Sequence, residues 1–254
     1  MSINNLTNLK ILEWNANSIR SKIFELYQFM SENKVHITCI NETFLSPADI
    51  LHSHHNFKIY RHDLAVNDDD QRAGGVMIII HKNVNHTLMP LPRTSILEVI
   101  TVDIMLESRT RIHSIYLPGG STNEMINRHY RNDIRLLTSH NNDFIICGDF
   151  NSKHRLWNCD RANRAGTILY DEYCSQNFMI FHPTTPTYFS PAANRLPSTI
   201  DLVVTNSRYN LTEPLAFTSD SDHEYVVFDL DIGNQDIQNN NRLMPSSLSF
   251  IEVS

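Results

Sequence analysis

The sequence lacks the motifs that would place it quickly. It has no G-x-x-x-x-G-K-[ST] and no G-x-G-x-x-G, which excludes the glycine loops that cradle nucleoside triphosphates and dinucleotides. It has no G-x-S-x-G, and Ser221 shares a turn with His223 instead of standing on a strand-to-helix elbow, so a serine hydrolase is excluded too. The four cysteines, at 39, 147, 159 and 174, show no C-x-x-C spacing, and two of them lie in apolar strand-like runs, which predicts reduced, packed thiols. No apolar run approaches roughly 18 residues, and Met1 to Asn5 has neither a basic nor an apolar leader pattern. The expectation is an intracellular chain with no membrane contact, in which the sequons at Asn5, Asn41, Asn85 and Asn210 carry no glycan. Excess positive charge is also missing: 21 Lys and Arg face 28 Asp and Glu, a net charge of -7, so no global field gathers nucleic acid. Any DNA or RNA partner must be held by local basic residues or by a metal.

What is present is a chain of 254 residues, 41% hydrophobic, able to bury a substantial core as one large α/β or β-sandwich domain or as two smaller ones. Its most informative stretch is Phe144-Ile145-Ile146-Cys147-Gly148-Asp149-Phe150-Asn151. Consecutive bulky apolar residues predict a strand buried on both faces, and the glycine predicts a sharp turn that delivers an acid and an amide to one sheet edge.

In chain order, Leu9 to Trp14 reads as a strand running into Asn15-Ala16-Asn17-Ser18, with Ser18 as N-cap of a helix carrying Ile19, Ile23, Leu26 and Met30. Val35 to Ile40 is the next strand, ending at Asn41-Glu42-Thr43. Residues 46–74 read as loop, including the solvated run Asp68-Asp69-Asp70 and a histidine cluster at 52, 54 and 55 that receives no assignment. Strands follow at 76–80, 96–106 and 111–117, then a helix over 124–137, then the central strand. Lys153 to Arg164 reads as a polar loop, 165–176 as a helix, and 178–181, 199–205 and 225–232 as strands. The Asn- and Gln-rich residues from Gly233 onward read as a polar tail or linker, which places one domain at 1–232.

Asn15, Glu42, Tyr116, Asp149, Asn151, Asp201 and the Asp222-His223 pair all fall at or near strand ends. One polar group there is ordinary: Tyr116 alone is a strand-end aromatic, Asp201 a capping acid, His223 a turn residue. The ordered set predicts one edge of a sandwich furnished with a site. Hard oxygen donors with a single histidine suit Mg²⁺ or Mn²⁺ better than zinc.

Trp14-Asn15-x-Asn17, Asn41-Glu42-Thr43, Tyr116-x-Pro118, Gly148-Asp149-Phe150-Asn151, Ile200-Asp201 and Ser221-Asp222-His223 resemble the successive motifs of the endonuclease/exonuclease/phosphatase superfamily. Asn163-Arg164-Ala165-Gly166, after a loop bearing Trp157, most resembles the endonuclease domain of jockey-type non-LTR retrotransposons. The resemblance implies a four-layer α/β sandwich, two mixed sheets face to face flanked by helices. It implies a Mg²⁺-dependent endonuclease, with Mn²⁺ as a substitute, that nicks one strand of duplex DNA and leaves a 3′-hydroxyl to prime reverse transcription. The partners it implies are duplex DNA and a reverse transcriptase domain of the same polyprotein, and the place of action is the nucleus.

Residue by residue, the resemblance makes Glu42 the principal metal ligand with Asn15 and Asp222 near its shell. Asp149 would orient or deprotonate the attacking water beside Asn151, His223 oriented by Asp201 would donate to the phosphoryl oxygen, and Tyr116 would add a phosphate contact. Asn17, Arg72, Lys153, His154 and Arg155 are the expected DNA contacts. The chain departs from the repair members of the superfamily at Ser198-Thr199-Ile200, where they carry an aromatic residue, at Gly119, where they tend to have Asn, and at Asn17, where they tend to have Asp. Abasic-site repair is therefore not expected. Two alternatives stand beside the endonuclease: a superfamily hydrolase acting on RNA or a phosphorylated small molecule, and a catalytically silent DNA-binding copy.

Overall fold

A computed structural model describes residues 7–63, 74–139, 142–192 and 195–233. Arg72, the Asp68-Asp69-Asp70 run and everything past Gly233 lie outside the described residues.

Strand β1 (Asn8–Asn15) leads into helix α1 (Ile23–Glu32) and then β2 (Ile37–Asn41), β3 (Phe57–His62), β4 (Val76–His81) and β5 (His86–Leu88). The hairpin β6 (Glu98–Met105) and β7 (Arg109–Tyr116) precedes a helical stretch of α2 (Asn123–Met125), a π turn (Ile126–Tyr130) and α3 (Arg131–Thr138). Next come β8 (Asp143–Asp149), α4 (Arg164–Ser175), β9 (Met179–Phe181), β10 (Asp201–Thr205), β11 (Asn210–Leu211), β12 (Leu215–Phe217) and β13 (Tyr225–Asp231). One sheet runs β11-β13-β1-β2-β4-β3 with β12 also on β13, and the other runs β5-β6-β7-β8-β10-β9. Both are mixed, because β1 and β2 pair in parallel, as do β7 and β8, while the remaining pairs are antiparallel.

Side-chain alternation sorts the apolar residues into three cores. Ile11, Cys39, Ile78, Ile112, Ile145, Cys147 and Val203 meet between the sheets. Leu12, Trp14, Ile40 and Ile79 pack under α1 against Ile23, Leu26 and Met30. Ile115, Phe144, Ile146 and Val204 pack under α3 and α4 against Ile134, Trp157, Ile168 and Leu169. Three cores separate four layers, helix, sheet, sheet, helix, as the resemblance implies.

Several sequence expectations need correction. The segment read as loop contains β3, an edge strand paired only to β4, whose half-exposed residues give no apolar run. Ser18 does not cap α1. It has left-handed backbone (φ 77°), its N–H donates to Glu42 O, and the helix begins later at Ile23 behind Lys22. Gly148 makes no turn but lies inside β8, where a Cβ would stand 1.9 Å from Ile115 O, so its bareness lets β7 and β8 pack. Cys174 is exposed, unlike the other three free cysteines.

Candidate active site

The inward-facing residues of five strands change from apolar to polar at one end of the space between the sheets. On β1 the series is Leu9, Ile11, Glu13, Asn15; on β2 it is Ile37, Cys39, Asn41; on β7, Ile112, Ser114, Tyr116; on β8, Ile145, Cys147, Asp149. β10 enters the same level with Asp201 before Val203. Register aligns the last members: Asn15 pairs with Asn41, Tyr116 with Asp149, and Asp201 with Asp149. Strand geometry alone therefore collects Asn15, Asn41, Tyr116, Asp149 and Asp201 into one polar level capping an apolar core.

Hydrogen bonds across the sheets fix that level. Asn15 Nδ2 donates to Asp149 Oδ2 at 3.0 Å, and the Asp149 N–H donates to Asn41 Oδ1 at 2.8 Å. His223 arrives on the turn before β13, buried, with Nδ1 2.9 Å from both Asp201 oxygens. That contact puts a proton on Nδ1 and leaves Nε2 3.9 Å from Asp149 Oδ2. Trp14 Nε1 holds the His223 carbonyl at 3.3 Å, and the Tyr188 ring lies 4.7 Å from the imidazole. Burial alone would lower the His223 pKa, but the Asp201 carboxylate at Nδ1 outweighs it and raises the value to about 9. Burial, reinforced by the charge of Asp201, pushes Asp149 up to about 8.

The other side of the site is open. Glu42, just past β2, is half-buried with left-handed backbone (φ 46°). Asn17, Ser18, Phe44 and Asn151 share that conformation, which is unfavourable for non-glycine residues by roughly 1 kcal/mol each. The Gly74 and Gly75 carbonyls hold the Phe44 and Thr43 N–H groups, and Gly75 N donates in turn to Glu98 at 2.6 Å. The Tyr116 hydroxyl is within hydrogen-bonding reach of Glu42, and burial with the nearby Glu42 charge raises its pKa. Asn17 Nδ2 donates to Asp222 Oδ1 at 3.0 Å on the exposed lip. Asn151 N–H donates to Asp149 Oδ1 at 2.8 Å, and its side-chain amide reaches Leu117 O at 2.9 Å.

The structure thus brings Asn15, Tyr116, Asp149, Asn151, Asp201 and His223 into one connected group, with Glu42, Asn17 and Asp222 on its open side. Lys153 stands beside it, its ammonium 6.0 Å from the Tyr188 ring, and Arg155, Arg161 and Arg164 follow with exposed side chains. His154 stacks on Tyr170 at 4.4 Å and accepts the Leu156 N–H, while burial lowers its pKa, so it is a neutral, packed imidazole at pH 7. Arg72 lies outside the described residues. Sequence reasoning missed Asn41, which looks like strand-end punctuation until its bond across 108 positions is seen. It also missed Glu98, whose pKa burial raises to about 7, and Glu13, fully buried between the sheets. An acid inside an otherwise apolar strand run was the available signal for both.

The donor set fits a hard divalent cation. Glu42, Asp149 and Glu98 offer carboxylate oxygens, and the charge of Glu42 adds to burial in raising the pKa values of Asp149 and Glu98, which is negative charge that a cation would offset. Asp149, Asp201 and His223 also present ligand atoms within 4.8 Å of one another. Asp201 and His223 are already engaged with each other there, so the freer oxygens lie toward Glu42.

Comparison with known proteins agrees with this geometry. Residues 110–227 match the family model described as endonuclease-reverse transcriptase. The chain is 23% identical over 251 residues to a probable RNA-directed DNA polymerase from transposon BS of Drosophila melanogaster, covering 97% of this chain and 27% of that protein. It is 22% identical over 227 residues to the RNA-directed DNA polymerase from mobile element jockey of Drosophila funebris, covering 87% and 24%. Together these matches support the endonuclease/exonuclease/phosphatase superfamily. Within that superfamily the chain is similar to the endonuclease domain of TRAS1, a telomere-specific non-LTR retrotransposon, with a TM-score of 0.66 at 17% identity over 89% of this chain and all (100%) of that one. The AP endonuclease LMAP from Leishmania major shares the fold with a TM-score of 0.71 at 14% identity, covering 89% of this chain and 88% of the other. The chain spans about a quarter of the length of the curated relatives it matches (27% and 24%). Among the described residues, no helix is long and apolar enough to cross a membrane.

Proposed function

We propose that this superfamily member is a divalent-metal-dependent DNA endonuclease that nicks one strand of duplex DNA and leaves a 3′-hydroxyl, the end from which a reverse transcriptase in the same polyprotein would prime. The observation that carries the proposal is His223, held by Asp201 at Nδ1 and turned at Nε2 toward Asp149, beside an open side furnished with Glu42. Mg²⁺, or Mn²⁺ in its place, held by Glu42 with Asn15 and Asp222 nearby, would offset charge on the bound phosphate. Asp149, steadied by Asn15 and Asn151, accepts the proton of the attacking water in its ionised form, which a cation bound nearby would favour against the burial that raises its pKa. His223, protonated at neutral pH because of Asp201, donates from Nε2 to the phosphoryl oxygen where charge builds. Tyr116 donates its hydroxyl hydrogen bond to the same phosphate, since its raised pKa keeps it protonated.

Duplex DNA as substrate is supported by the cations Lys153, Arg155, Arg161 and Arg164 in the segment after Asn151, and by Tyr188 beside His223 and Asn17 on Asp222. The nucleus is the proposed place of action, where genomic duplex is available. Supercoiled plasmid tests the reading. With Mg²⁺ the chain should convert it to nicked circles whose ends a DNA polymerase extends without prior phosphatase treatment, and EDTA should stop the reaction. Inertness toward plasmid with cleavage of RNA or a soluble phosphoester would replace this substrate. Binding without cleavage in Mg²⁺ and in Mn²⁺ would make the chain a silent copy.

A further inference from the structure

The backbone that carries Asn151 is held from outside its own strand, chiefly by one side chain. Asn151 has left-handed backbone, its N–H is committed to Asp149 and its side-chain amide to Leu117 O. Its carbonyl accepts from Asn163 Nδ2 at 2.7 Å. The other half of the same amide, Asn163 Oδ1, accepts from Lys153 N at 2.9 Å and from Gly166 N at 2.8 Å. The Asn163 N–H also returns to Lys153 O at 3.0 Å. Asn163 therefore ties the first turn of α4 to both ends of the segment 151–153. Gly166 makes the approach feasible, because a Cβ there would stand 1.9 Å from Lys153 O. Between these ties Trp157 Nε1 donates to Ser152 O at 2.8 Å, so consecutive carbonyls after the catalytic strand are gripped by side-chain N–H donors.

We propose that Asn163 is a positioning residue of the nicking reaction, acting through Asn151: its amide donor fixes the Asn151 peptide, and with it the angle at which Asn151 supports Asp149 and the phosphate. The proposal rests on the endonuclease reading for its kinetic consequence. A helix cap needs only an acceptor, and Asp and Ser cap as well as Asn does. The donor half of the amide is surplus to capping, and it is the half that reaches Asn151. Asn163 is exposed, so changing it opens no cavity in the core.

Asn163→Asp and Asn163→Ser keep a capping oxygen and remove the donor. Both should fold with wild-type melting temperatures. On supercoiled plasmid kcat should fall roughly tenfold or more with little change in KM, the scale on which a small misplacement of a catalytic group acts. In a cycle with Asn151→Ala the second substitution should add nothing, because Asn163 acts only through Asn151. Amide exchange supplies a readout that needs no activity: the Asn151 N–H should exchange at least about tenfold faster in Asn163→Asp while the Gly166 N–H keeps its protection. Unchanged kcat in both variants, a rise in KM alone, or full additivity with Asn151→Ala would overturn the proposal. If the wild type nicks nothing, the endonuclease reading fails, and the exchange result alone decides whether Asn163 positions Asn151.

Discussion

The two sides of the site are built differently. On one, Asp149, Asp201 and His223 are buried and joined by bonds whose partners come from four strands. On the other, Glu42, Asn17 and Asp222 sit on loop backbone, half-buried or exposed, and Glu42 is held in a strained conformation by the carbonyls of Gly74 and Gly75 pinning its neighbours. The two constructions suit different parts of the proposed reaction. A proton relay needs fixed geometry and a low dielectric, which burial supplies. A cation and a phosphate must enter and leave, which requires an open side with charge in reserve.

Substitutions can break that comparison in order of severity. Asp149→Ala and His223→Ala should nick at least roughly a hundredfold more slowly while still binding duplex DNA, the usual scale for losing a general base or acid. Wild-type rate in either would remove the buried side from the chemistry. Asp201→Asn keeps the shape but no longer holds a proton firmly on His223 Nδ1, and should cost about tenfold, below that range because the ring itself remains. Equality with His223→Ala, measured side by side, would mean that Asp201 does more than orient the ring. Among the cations after Asn151, Lys153→Ala and Arg155→Ala should each lower the slope of log binding constant against log salt by about 1, for all sequences alike. Unaltered slopes would place the DNA elsewhere.

The smallest effect belongs to the pole opposite the site. His36 Nδ1 accepts the Lys10 N–H at 3.0 Å, so only the unprotonated ring fits, and burial together with His81 lowers its pKa. A histidine whose folded pKa lies below its unfolded value contributes stability that is complete above about pH 6.5 and fades as pH falls through the folded pKa. Melting temperature should therefore drop below pH 6.5, and His36→Asn, which keeps an acceptor at the same place, should shrink that drop by about 2 °C. Nicking at neutral pH should stay at the wild-type rate, and an unchanged acid drop would assign the loss to other groups.

Much of the fold is legible in the apolar runs, because strands buried on both faces such as β2, β4 and β8 announce themselves without context. β3, β5, β11 and β12 are short or half-exposed and carry no continuous apolar run, so local pattern is silent about them. At the site, Asp149 and His223 stand out because each is a polar residue joined to an apolar strand. Asn41 and Asn163 do not, since an asparagine in a turn is ordinary and only the partner brought by the fold gives it a role. The mixed spacing over 124–137 has its cause in the π turn at 126–130, which shifts the helical register and turns Tyr130 toward Ser152 at 2.9 Å.

The division between the two sides is tested most directly by titrating Mg²⁺ against nicking rate for Glu42→Gln and His223→Ala in parallel. Glu42→Gln removes charge from the open side, so its rate should recover by a large factor as Mg²⁺ or Mn²⁺ rises, whereas His223→Ala should stay slow at every concentration. Recovery of His223→Ala with metal, or a Glu42→Gln rate indifferent to metal, would contradict the account.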